Sequence, residues 1–274
     1  MNVVCVGPAE LAPFVPSLRK LEESITYPLD QDSFRIDHGS DYHPFFSEMG
    51  EVRFILAVEG TEVLGTLALV LKKGALYLAD FKVREDQRGK GLSRRIAAEA
   101  FRRAFQGRRW RFAFMAAMRG AKGDVTRTGG LMMKLLRPAA RLHVYFARPE
   151  ELARVSEGLR PPGPGLSLSH APPSLLVSTA GRKDLRLVSN GASWPLVHLA
   201  CPPEAWGDSL GTYLRRCARV MPPGAVGCFA LDERLEDHVR WLEAAGIAPG
   251  ATCTVYAFPR LPRASFLHLA SSEI

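Results

Sequence analysis

The chain has 274 residues, 47% hydrophobic and 23% charged, with a net charge of +8. This is the balance of an ordinary folded protein of one large or two modest domains, and no run of about 18 apolar residues offers a membrane span. The five cysteines (Cys5, Cys201, Cys217, Cys228, Cys253) are odd in number, widely spaced and without a Cys-x-x-Cys pair. They read as reduced thiols of a cytoplasmic protein, not as a zinc site or a disulfide framework.

Met1 to Val6 lacks the basic flank and apolar core of a secretory signal. Asn2–Val6 is a short apolar strand, ended by Gly7-Pro8. Leu11, Phe14, Val15, Leu18 and Leu21 have helical spacing, with Pro13 and Pro16 placed to split or kink the helix. Residues 24–50 are polar with scattered aromatics, and a short helix fits Tyr42–Met49. Val52, Phe54, Leu56 and Val58 alternate as in a strand over Glu51–Glu59. A Gly60-Thr61 turn leads to its hairpin partner, Glu62–Lys72.

The densest signal follows. Leu76–Val83 is an apolar strand. Arg84–Gln87 is a polar turn, Arg88–Ser93 a glycine loop, and Arg94–Phe105 an amphipathic helix with Leu92, Ile96, Ala100 and Ala104 on one stripe. Gly89 and Gly91 let the backbone approach a ligand. The first helical turn leaves N–H groups without intrahelical partners at the positive end of the helix dipole. Together these make an anion site suited to a diphosphate, with Arg88 and Lys90 adding positive charge. A Rossmann or P-loop reading lacks the required Gly-x-Gly-x-x-Gly or Gly-Lys-Ser/Thr pattern. Arg102, Arg103, Arg108, Arg109 and Arg111 crowd the far end of this helix. They read either as a solvated face that suits a helix C-terminus or as attraction for a polyanion. No recognition motif or stacking platform for nucleic acid accompanies them.

The strand–loop–helix of residues 76–105, with Arg88-Gly89-Lys90-Gly91-Leu92-Ser93 in place of Arg-x-x-Gly-x-Gly/Ala, resembles the acyl-CoA loop of the GCN5-related N-acetyltransferases (GNAT). The resemblance implies an α/β (α+β) fold with a mixed, mostly antiparallel central sheet flanked by helices, and acetyl-CoA as cosubstrate. It implies that Arg88, Gly89, Lys90, Gly91, Leu92 and Ser93 hold the diphosphate. It also implies that Phe81, Lys82 and Val83 run along the pantetheine arm, in a gap between strand 76–83 and the next strand, Arg109–Met118. Met115–Met118 would form the other wall, and the backbone N–H of Phe81 would face the thioester oxygen. The family's Asn and Tyr after that strand are missing: Arg119 and Thr126 stand near their places. Gly120–Gly130 is a poor helix.

Leu142–Ala147 reads as a strand, and Glu150–Pro173, with Arg160-Pro161-Pro162-Gly163-Pro164-Gly165, has linker composition. Beyond it come strands at Ser174–Ala180, Asp184–Ser189 and Pro195–Cys201, a helix at Glu204–Val220 and a strand at Ala225–Leu231. A helix at Arg234–Ala245, capped by Gly246, and strands at Thr252–Phe258 and Ser265–Leu269 complete the series. This order resembles the latter part of a second GNAT domain. Its loop, Cys201-Pro202-Pro203-Glu204-Ala205-Trp206-Gly207, lacks the glycine pattern, and two prolines remove backbone donors. The expected division is a GNAT acyltransferase domain at 1–148, a linker at 149–173 and a degenerate GNAT-like domain at 174–274.

Acyl transfer from a thioester to an amine needs orientation, a donor to the carbonyl oxygen and an acceptor for the amine proton. Asp80, a carboxylate inside an apolar strand, is either that base or amine anchor, or the partner of a nearby Lys or Arg at the sheet surface. Tyr77 lies nearer the usual strand position but is a weak base. Glu48, Asp41, His38 and His43 are alternatives, and Asp30, Asp32, Asp37 and Asp41 either attract a cationic amine or are a solvated loop. The histidines are dispersed and no metal-ligand constellation is visible. The expected activity is transfer of an acetyl group to a small-molecule or protein amine in a ternary complex, by a monomer or homodimer with no membrane or nucleic-acid partner. The alternative is a catalytically weak CoA-binding or regulatory module.

Overall fold

The computed structural model describes residues 1–29, 32–106, 109–120, 123–124, 135–169, 177–178 and 183–274. The first half runs β1 (Asn2–Val6), α1 (Val15–Glu23), β2 (Tyr27–Leu29), β3 (Asp32–Asp37), α2 (Pro44–Met49), β4 (Glu51–Glu59), β5 (Glu62–Lys72), β6 (Gly74–Val83), α3 (Leu92–Phe105), β7 (Trp110–Gly120), β8 (Gly123–Asp124), β9 (Arg137–Ala147) and α4 (Pro149–Arg154). The second runs β10 (Leu166–Ser167), β11 (Val177–Ser178), β12 (Asp184–Leu187), β13 (Ser193–Trp194), β14 (Leu196–Leu199), α5 (Leu210–Val220), β15 (Val226–Asp232), α6 (Glu236–Ala244), β16 (Pro249–Phe258) and β17 (Leu267–His268).

Local chemistry accounts for most of these elements. Pro13 and Pro16 do not kink a helix; Pro13 lies in a 3-10 turn, and Pro16 sits in the first turn of α1, where a missing N–H costs nothing. Gly60 turns β4 into β5 with φ 60°. The α3 stripe holds: Leu92, Ile96, Ala97 and Ala100 are buried, with Ile55, Leu67 and Leu78 of the sheet in the same cluster. Phe101 and Phe105, beside the stripe, are instead exposed and contact each other at 4.3 Å.

The main sheet has the order β1-β4-β5-β6-β7-β16-β9-β15-β14-β11. Around its middle the order is a palindrome. β6 and β7 are parallel, as are β14 and β15, and the junctions β7–β16, β16–β9 and β9–β15 are antiparallel. β16 of the second half thus fills the place between β7 and β9 of the first, and β9 fills the matching place between β15 and β16. One apolar core runs through the junction, with Phe54, Tyr77 and Phe114 in the same cluster as Cys228, Val255 and Leu267.

The halves are stitched a second time. The polar stretch after α1 contains the β2–β3 hairpin, absent from the sequence reading, and β3 pairs with β12 in a four-stranded sheet. The stretch of linker composition is packed. Leu152 of α4 is fully buried, β10 pairs with β17, and a Cβ on Gly165 would stand 2.3 Å from Phe266. The expectations for Gly120–Gly130 fall largely outside the described residues, as does most of Ser174–Ala180.

A chain ending at residue 148 would lack β16 and leave facing edges of β7 and β9 unpaired. The expected outcome is aggregation and no cooperative melt by circular dichroism, with a soluble complex restored by co-expression of residues 149–274.

Candidate active site

β6 and β7 pair from Gly74↔Trp110 to Tyr77↔Phe114, and the ladder stops there. Beyond that point β6 stays on β5 and β7 stays on β16, so the strands part. A bulge marks the divergence. Ala79 pairs with Ala68 and Lys82 with Thr66, so Asp80 and Phe81 oppose the single residue Leu67. Asp80 sits at φ 54°, a left-handed conformation that a short polar side chain tolerates best among non-glycines. A bulge bends its strand and sharpens its twist, the local cause of the opening. Leu78–Val83 form one wall and Met115–Met118 the other.

The glycine loop closes the mouth of this notch. Gly89 and Gly91 have φ of 79° and 80°, and a Cβ on either would meet nothing within 4 Å. Backbone conformation, not crowding, requires glycine here, and the space beside it is open to a ligand. Arg94 and Arg95 close their N–H groups on the Gly91 carbonyl. The N–H of Leu92 lies ahead of any intrahelical acceptor, at the positive end of the 14-residue α3. Arg88 and Lys90 are exposed beside it. The residues present fit a diphosphate.

On the opposite face of β6 lies a buried chain of polar side chains. The Tyr42 hydroxyl donates to Asp80. Lys82 Nζ reaches Asp80 at 2.6 Å and Glu22 of α1 at 3.0 Å. Glu22 also accepts from His38, at 2.5 Å from Nδ1 and 3.2 Å from the backbone N–H. Burial alone would raise the Glu22 carboxyl, but the charge on Lys82 and the His38 hydrogen bond outweigh it and hold it at about 2. Burial also opposes the charge on Lys82, yet Asp80 and Glu22 help to raise its pKa above the ordinary lysine range.

Asp80 is therefore paired, as one expectation had it, but within a buried network and not at the sheet surface. Tyr77 does not fit the role of base. It stacks on Phe114 at 5.1 Å in the core, and burial drives its phenol far above the usual value. The Lys82 side chain leaves the notch for Glu22, so only its backbone is available to a cofactor. His38 joins the network; Asp41 and Glu48 are exposed apart from it. Asp32 accepts from Ser33 and Ser189, tying β3 to the second half. Asp30 and Thr126 lie outside the described residues. Glu22 and Tyr42 were missed from sequence. Lys82 was legible as a partner: in a strand, residues two apart share a face, and the bulge keeps Asp80 and Lys82 on the same side.

The second half has the matching notch and helix, already filled by the chain itself. β14 and β15 pair from Leu196↔Val226 to His198↔Cys228. Past that point His268 donates from Nε2 to the Ala200 carbonyl at 2.8 Å. The Leu267 N–H donates to Asp232 at 2.7 Å and the Ser271 hydroxyl to the Cys228 carbonyl at 2.7 Å. At the start of α5 the N–H groups of Leu210 and Gly211 donate to the carbonyls of Leu159 and Glu157, and Thr212 to the Ser209 hydroxyl. No donor of that turn is left for a diphosphate. A Cβ on Gly211 would lie 2.0 Å from the Ser156 carbonyl oxygen.

Residues 16–118 match the model of the acetyltransferase (GNAT) family. No curated protein matches the sequence. Among solved structures, a tandem GNAT protein from the clavulanic acid biosynthesis pathway aligns with a TM-score of 0.55 at 13% identity, over 96% of this chain and 99% of its own. A protein described as an acetyltransferase from Pyrococcus horikoshii aligns at 0.53 and 12% identity, over 99% of this chain and 95% of its own. At such identities the likeness establishes the fold.

Two measurements test this site. Titration calorimetry with acetyl-CoA is expected to give one site per chain, abolished by Gly91→Glu; two sites would contradict the filled second notch. Glu22 has a folded value of about 2 against an ordinary value of 4.5. Its contribution to stability is full above about pH 4.5 and is lost as the pH falls toward 2. Glu22→Gln should therefore flatten the loss of urea stability across that window.

Proposed function

We propose, from the match of residues 16–118 to the acetyltransferase (GNAT) family model, that the chain is an N-acyltransferase moving an acetyl group from acetyl-CoA to an amine by direct attack in a ternary complex. The observation that carries this reading is the parting of β6 and β7 beside the Gly89–Ser93 loop. Arg88–Ser93 hold the diphosphate, and the backbone of Phe81–Val83 lines the pantetheine arm. The amine attacks the thioester carbonyl; the new N–C bond forms as the C–S bond breaks, and CoA leaves as a thiolate that takes its proton from water. The Phe81 N–H donates to the carbonyl oxygen as charge gathers there.

Asp80 accepts the amine proton, held in place by Tyr42 and Lys82. The acceptor is a small-molecule or protein amine that enters from the α1–α2 side. The GNAT-like second half completes the fold without a cofactor of its own, and the protein acts as a monomer or homodimer, without a membrane or nucleic-acid partner. A cytoplasmic setting suits its free cysteines, of which four are buried.

One observation favours a second reading, a CoA-binding module with little turnover: both oxygens of the Asp80 carboxylate are already engaged, one by Lys82 and the other by Tyr42. Thiol release from acetyl-CoA across a panel of amines separates the two. Turnover is expected, with Asp80→Asn lowering kcat by about 10²-fold or more while acetyl-CoA affinity holds. Tight binding with no turnover on any amine would favour the module.

A further inference from the structure

A cavity of about 290 Å³ lies between β9, β16 and the segment 260–267, and none of its lining residues belongs to the acyl-CoA notch. Its walls carry four arginines, Arg137, Arg234, Arg260 and Arg263, with the apolar Leu166 and Leu267, and no carboxylate is among its described lining residues. On the sheet, Arg137 pairs with Ala257, and Phe258 with Ala113 near the start of β7. The notch opens at the other end of that strand.

Charge in this cavity is unevenly spent. Arg234 is taken up by the buried Asp232, at 2.5 Å from Nη2 and 2.9 Å from Nε, and its Nη1 donates to the Ala264 carbonyl at 3.0 Å. Arg137, Arg260 and Arg263 are exposed, and none forms an ion pair with a described residue. Three guanidinium groups thus line one space with no counter-charge among the described residues. Left to solvation alone they would repel one another and spread. The segment that carries two of them is fastened behind Arg263, by Arg234 on Ala264 and by the Ser265 hydroxyl on the Pro164 carbonyl at 2.8 Å.

We propose that this cavity is a second anion site, taking a phosphate-bearing small molecule, a phosphomonoester or a diphosphate. Planar guanidinium forks match phosphate oxygens two at a time, and three unneutralised charges suit a multiply charged phosphate better than a single carboxylate. The apolar Leu166 and Leu267 accommodate the organic body that carries it. The site shares no residue with the acyl-CoA loop.

The probe is inorganic pyrophosphate, titrated calorimetrically into the full chain with acetyl-CoA at saturation so that the loop is occupied. Binding is expected, weakening as sodium chloride rises. The double variant Arg260→Ala/Arg263→Ala should raise the dissociation constant at least tenfold. Both side chains are exposed, so its thermal melt and its affinity for acetyl-CoA should match the unsubstituted chain. If acetyl-CoA itself fails to bind, the same titration is run in Gly91→Glu. No pyrophosphate binding in either setting, or binding that the double variant leaves unchanged, overturns the site.

Discussion

Everything in this molecule depends on one backbone requirement: a strand edge buried at the centre of a sheet must find hydrogen-bond partners. β7 is parted from β6 over its second half, so it needs support on its other edge. The first half does not supply it. β16 does, from more than a hundred residues downstream, and β9 returns the service to β15. The notch can stand open on one side because its outer wall is pinned on the other. Opening and pinning are therefore a single arrangement, and the second half takes part in holding the notch open.

The bulge at Asp80 sets where the opening falls, and it sets the direction of two charged residues. Asp80 and Lys82 point to the α1–α2 side, where Tyr42, Glu22 and His38 complete a buried chain of alternating donors and acceptors. Charges so deeply placed are tolerable only as a fully paired set, because removing one member leaves its neighbours stranded in a low-dielectric interior. The same set fixes the wall on the α1–α2 side, so the rigidity of that wall and the position of the Asp80 carboxylate come from the same contacts.

Much of this was legible in the residues. Alternation gave β4 and β5, the stripe at Leu92, Ile96 and Ala100 gave α3, and Gly89 and Gly91 gave the loop. These are local signals, set by side-chain period and by backbone angles that only certain residues adopt. The β2–β3 hairpin escaped because Tyr27-Pro28-Leu29 is short and contains a proline, and because its partner β3 is held by β12, far along the chain. The insertion of β16 escaped for a related reason: strand periodicity says which residues form a strand and nothing about its neighbour. Glu22 read as an ordinary helix carboxylate. Only the tertiary meeting of α1, β3 and β6 turns it into the centre of a network, and Tyr77 fell to the core for the same kind of reason, a ring partner supplied by the neighbouring strand.

The palindromic strand order has an evolutionary consequence. Two copies of one unit trading a strand across a central axis is the geometry of an intertwined homodimer, here carried on one polypeptide. In a true homodimer every substitution is made twice, so neither site can be lost without the other. Joining the copies removes that symmetry of inheritance. In a joined chain one notch can stand open while the matching one is filled from within, as residues 267–271 fill it here.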